Sequence, residues 1–136
     1  MQRRNSIDIT EITDQLQFPE GPIAMPDGSV ILVEIMRGTL SRVMPDGEIQ
    51  VVAEPGGGPN GAAMGPDGHC YICNNGGFEW SRSSRGLIFP GNQASDYTTG
   101  RIEKINVETG VVEKLYTDCD GEPLKGPNDI VFDKEG

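Results

Sequence analysis

The sequence predicts an all-β protein, and within that class a β-propeller. Two observations carry the prediction. Short alternating apolar runs are separated by tight-turn residues, and one phrase returns along the chain. "AMPDG" (24–28), "VMPDG" (43–47) and "MGPDG" (64–68) are each followed by a strand-like segment, and "FDKEG" (132–136) is a degenerate further copy. In each, Asp-Gly or its equivalent supplies a turn between apolar runs. No helical period competes.

The elements follow in order. "IDITEIT" (7–13) alternates ahead of the first full unit, as an N-terminal strand that completes the last blade of a ring does. A first unit, 18–57, holds strands over 21–25, 29–34, 39–44 and 48–54. A second, 58–125, repeats the order over 60–64, 69–74, 101–106 and 111–117, with a long irregular insertion at 75–99. A third unit, 126–136, opens with a strand over 128–132. Four-stranded units of about 40 residues are the sequence signature of propeller blades. A meander or sandwich also shows short strands at regular spacing. The repetition of the residue pattern itself favours the propeller, of which this chain supplies about two blades plus single strands.

The chain has 136 residues, enough for one domain with a core. Apolar residues make up 35%, and the 19 glycines bring the composition near the globular norm. A net charge of −10 argues against nucleic-acid or anionic-membrane partners and is compatible with cation binding or simple solubility. "MQRRNS" is basic, but no apolar stretch follows it, so no signal peptide is expected. The 3 cysteines form no disulfide framework, and a cytoplasmic location is the expectation. Cys70 and Cys73 make a C-x-x-C within an alternating strand, which points them to opposite faces and speaks for buried strand cysteines rather than zinc ligands.

Related phrases place Glu20 ("FPEGP"), Asn60 ("GPNGA") and Asn128 ("GPNDI") at matching points of successive units. Asn before Gly or Asp is a common turn residue, and each position alone reads that way. The coincidence at three repeat positions favours another reading. Side chains at the start of successive inner strands converge near the propeller axis, and their oxygens are hard donors suited to calcium, magnesium or manganese.

"FPEGP", "PNG" and "GPNDIVFD", with "TGRIEKINVETGVVEKLYTDCDGEPLKGPNDIVFD" (99–133), together resemble the regucalcin/gluconolactonase (senescence marker protein/gluconolactonase-like) family of six-bladed propellers. The resemblance covers most of residues 16–136. It implies a metal-dependent hydrolase of the gluconolactonase type, which opens a sugar or other small lactone with a metal-activated water. The implied cofactor is a divalent ion, calcium foremost, with zinc, magnesium or manganese as alternatives. Glu20 and Asn128 are the implied metal ligands, and Asn60 is implied to reach the metal-bound water or the substrate. The family's general base is an Asp from a later blade, past Gly136. No catalytic residue is therefore assigned within this chain, and the chain alone is expected to be inactive.

The insertion 75–99 is either a lid over the channel mouth, with Phe78, Trp80 and Phe89 covering an apolar ligand face, or a surface loop packed on its own blade. Asn75 and Glu79 at its root are the candidate substrate contacts. Two competitors stay open: a non-catalytic calcium-binding propeller, and a strictosidine-synthase-like or phosphotriesterase-like propeller. The expected partners are a small-molecule lactone, a partner protein at the channel mouth on the non-catalytic reading, and the chain itself, since three copies would supply six blades.

Overall fold

The computed structural model describes residues 7–136; the basic opening hexapeptide lies outside the described residues. The described residues form strands and no helix. The first sheet is a meander of β1 (Pro19–Ala24), β2 (Val30–Glu34), β3 (Thr39–Val43) and β4 (Ile49–Ala53). The second contains β5 (Pro59–Met64), β6 (Cys70–Asn74), β9 (Arg101–Ile105) and β10 (Val112–Tyr116), paired antiparallel in that spatial order. Both are four-stranded, and both match the predicted units to within a residue or two at each strand end.

The turn phrase explains the repetition. In each copy the glycine N–H donates to the carbonyl three residues back: Gly28 to Met25 at 3.0 Å, Gly47 to Met44 at 2.9 Å and Gly68 to Gly65 at 3.1 Å. The aspartate side chain then accepts from the N–H two residues on, Asp27 from Ser29, Asp46 from Glu48 and Asp67 from His69. Asp133 of the degenerate copy accepts from Glu135 and Gly136 in the same way. These are Asx-stabilised turns whose last residue must adopt positive φ.

Packing of one sheet on the other makes the core. Ile31, Val33, Leu40, Ala53, Ala62, Cys70, Ile72 and Ile105 are buried in one cluster. Ile31 and Val33 share one face of β2, while Leu32 faces the other way, towards Ile12 and Leu16 of the leading segment. Each such large aliphatic side chain contributes about 1.5–3 kcal/mol on burial. The first strands of the two sheets, β1 and β5, lie against each other, and this contact positions the site.

Three expectations need correction. Residues 7–13 form no strand; Ile7 and Ile9 are 84% and 91% exposed, and the segment crosses the outer face of the first sheet without a ladder to join. Residues 128–132 likewise form no strand: their backbone approaches edge strand β5 at Gly61 without forming a ladder with it. Insertion 75–99 is not irregular. It folds as a hairpin of β7 (Phe78–Arg82) and β8 (Ile88–Gln93), whose Gly86 turn lies between runs too polar for the alternation to register in sequence. A small two-stranded ribbon, β11 (Asp118–Cys119) and β12 (Glu122–Pro123), closes the second unit.

Candidate functional site

The three repeat-matched residues meet. Glu20 on β1, Asn60 on β5 and Asn128 line one cleft of about 170 Å³, together with Gly21, Pro22 and Asp129. Asn60 Nδ2 donates to Asn128 Oδ1 at 2.5 Å, across 68 residues of sequence. Larger hollows of about 410 and 540 Å³ lie over the outer face of the first sheet and beside the last residues; their linings are mostly apolar and gather no such set of donors.

The glycines that follow the site residues make this convergence feasible. A Cβ on Gly21 would lie 2.6 Å from the Ala62 backbone nitrogen, and Gly21 has φ +55°. A Cβ on Gly61 would lie 2.6 Å from Asp129 Cα. Backbone therefore touches backbone between β1, β5 and the 128–129 segment, which only glycine permits. In the third unit Asp129 stands where Gly21 and Gly61 stand, and brings a second carboxylate to the cleft. Sequence reasoning missed it, although the break in the Glu-Gly, Asn-Gly, Asn-Asp series was its signal.

The donor set is all oxygen: two carboxylates, from Glu20 and Asp129, and two amides, from Asn60 and Asn128. Among the described residues no group of three or more His, Cys, Asp or Glu side chains converges. A hard-oxygen set without thiolate or imidazole fits calcium, magnesium or manganese better than zinc. Cys73 is close by, its Sγ donating to the Asp129 carbonyl at 3.3 Å. Burial, and secondarily the Asp129 charge, pushes its thiol up to about 11, which keeps it protonated at neutral pH. Cys70, on the opposite face of β6, is pushed up to about 12 by burial alone.

Asn75 and Glu79 do not line the cleft. Asn75 follows β6 and is 8% exposed; its N–H donates to the Gly58 carbonyl and its Oδ1 accepts from Gly77. Its Nδ2 is buried with no hydrogen-bond partner among the described residues, and the residue lies opposite Gly58, just ahead of β5. Glu79 is exposed on the hairpin. Trp80 of that hairpin packs on Phe18 with ring centroids 5.0 Å apart, and on Phe78 at 6.0 Å. Phe18 lies two residues before Glu20, so the hairpin spans from the second sheet to the approach of the first. Phe89 is outside this stack and exposed.

Two matching four-stranded antiparallel sheets, with an oxygen-lined cleft beside their first strands, mark the chain as a repeated all-β protein. Residues 18–136 match the SMP-30/Gluconolactonase/LRE-like region, and the chain belongs to that family. It is similar to a gluconolactonase of Zymomonas mobilis, with 23% identity over 145 aligned positions that cover 96% of this chain and 35% of that protein. The chain thus spans about a third of the length of the curated relative it matches. No helix among the described residues is long and apolar enough to cross a membrane.

Proposed function

We propose that this chain forms the metal-holding part of a lactone hydrolase built on a β-propeller, with the two four-stranded sheets as successive blades. The observation that carries the reading is the meeting of Glu20, Asn60 and Asn128, from matching positions of three successive units, in one cleft of a gluconolactonase-family chain. The ligand residues are Glu20 and Asn128, and Asp129 supplies further negative charge. Calcium suits the set best. When bound, such an ion supplies Lewis-acid polarisation of a carbonyl oxygen.

The chain's own side chains bind and orient. The Asn60 amide holds the Asn128 oxygen in place and presents its own oxygen to the cleft. Glu79, exposed on the hairpin, is the acceptor proposed for a sugar hydroxyl beyond the cleft, while Asn75, buried at the hairpin root, holds that root through Gly58 and Gly77. The general base is a carboxylate of a later unit, as the family resemblance implies.

Calorimetric titration with calcium and manganese tests the proposal, beside a lactone-hydrolysis assay. Wild-type protein is expected to bind one ion, and Glu20→Gln to lose about tenfold or more in affinity with its fold intact. Equal affinity in Glu20→Gln would remove Glu20 from the ligand set. Tight binding with no turnover of any lactone by a protein that carries these residues together with the later unit would favour the non-catalytic reading.

A further inference from the structure

Each sheet buries a polar network at the end of its second strand, and the two networks do the same job with different residues. In the first sheet Glu34 is fully buried. Its Oε2 accepts from the Gln17 N–H at 2.7 Å, and its Oε1 accepts from Ser41 Oγ at 2.6 Å. Arg37 pairs with Glu34 at 3.2 Å and donates through Nη2 to the Gln15 carbonyl at 2.9 Å. In the second sheet Asn74, at the matching position of β6, is also fully buried. Its Oδ1 accepts from the Gly58 N–H at 3.0 Å, and its Nδ2 donates to Glu103 at 2.9 Å and to the Gly56 carbonyl at 2.8 Å. Arg101 pairs with Glu103 at 2.6 Å and donates through Nη2 to the Pro55 carbonyl at 3.0 Å.

The targets correspond. Gln15 and Pro55 each lie five residues ahead of a cleft residue, Glu20 and Asn60 respectively. Gln17 and Gly58 lie three and two residues ahead. Both networks contain one buried carboxylate and one arginine, but the carboxylate has moved from β2 in one sheet to β9, the third strand, in the other. A buried carboxylate is tolerated only when fully paired. Glu34 finds a partner in the incoming chain itself, whereas Glu103 pairs with Asn74 and Arg101, which in turn hold the incoming chain. Phe18, between clamp and cleft, has φ +59°, a conformation a bulky residue holds only when its surroundings impose it. Its carbonyl is pinned by the Ile35 N–H at 3.0 Å.

We infer that Glu34–Arg37 and Asn74–Arg101–Glu103 are equivalent positioning clamps, which fix the approach to each inner strand and thereby set Glu20 and Asn60 in the cleft. The inference rests on the metal-site reading for its consequence, and on the hydrogen bonds alone for its mechanics.

The test uses Arg37→Met, Arg101→Met and the conservative Glu34→Gln in the purified protein. It reads amide hydrogen exchange, the Asn60 side-chain amide resonance and calcium affinity. Arg37→Met is expected to speed exchange at Gln17 about tenfold while Ile31 and Ile72 keep their protection, and to weaken calcium binding about tenfold. Arg101→Met does the same at Gly58 and shifts the Asn60 resonance. Glu34→Gln keeps most of the affinity, because one amide oxygen still accepts from Gln17. Unchanged exchange and affinity, or an equal loss of protection over every core strand, would overturn the clamps. Should Arg101→Met fail to fold, the partly exposed Arg37 decides. If wild-type protein binds no calcium or manganese, the metal reading fails, and exchange with the Asn60 signal judges the clamps alone.

Discussion

At the residue scale, a single aspartate shows how local chemistry is reused. Asp67 of a turn accepts from Lys104 Nζ at 2.7 Å and from the Tyr71 hydroxyl at 3.0 Å. Asp27, at the matching place in the first sheet, pairs with Arg42. Each aspartate thus ties its turn to the third strand of its sheet. The Lys104 hydrogen bond holds the Asp67 carboxyl down to about 2 from its ordinary 3.8, and hydrogen bonds from Ser29 lower that of Asp27. A depressed folded-state value means the stabilisation is present above the unfolded value and is lost as pH falls towards the folded one. Wild-type stability should therefore decline between about pH 4 and 2, and Asp67→Asn should flatten part of that slope. Denaturant midpoints measured across this window check it.

At the element scale, the approach of β1 to β5 depends on glycine twice over at Gly21, through its positive φ and through the lack of room for a Cβ. Gly68 also has positive φ, but a Cβ there meets nothing within 4 Å. Gly68→Ala is thus expected to cost only backbone strain, about 1–2 kcal/mol. Gly21→Ala adds the collision with the Ala62 backbone and should exceed it by at least about 1 kcal/mol. Urea unfolding of the two variants side by side measures the difference, and equal losses would mean that β1 and β5 part easily. The hairpin of β7 and β8 belongs to this scale as well. Its aromatic contact with Phe18 places it over the approach to Glu20, where the sequence alone left a lid and a self-packed loop as equals.

At the scale of the whole molecule, the cleft draws on three separate stretches: the first sheet, the second sheet and the segment at 128–129. An ion held there ties the stretches together and binds only the folded state. Calcium at 100 times its dissociation constant should therefore add about 2.7 kcal/mol of stability. A rise in Tm with calcium, reversed by chelator and absent in Glu20→Gln, is the expected outcome; a Tm indifferent to calcium would count against a bridging ion.

Much of this was legible in the sequence. The Asp-Gly turns and alternating runs located eight strands, because both signals are local and Asx turns form from neighbouring residues alone. The matching of Glu20, Asn60 and Asn128 was legible too, since a repeat keeps equivalent residues in equivalent places. The failures were of another kind. Residues 7–13 and 128–132 alternate as strands do, yet a strand exists only where it forms a ladder with a second one, and alternation says nothing about that partner. Asp129 joined the cleft because Gly61 lets its backbone come within contact, and Glu34 with Asn74 became clamps because two sheets fold the approaching chain against them. Sequence determined which residues repeat and where the chain turns, through short-range sterics and hydrogen bonds. Only tertiary structure decided which oxygens share a cleft, because that depends on the close packing of backbones far apart in the chain.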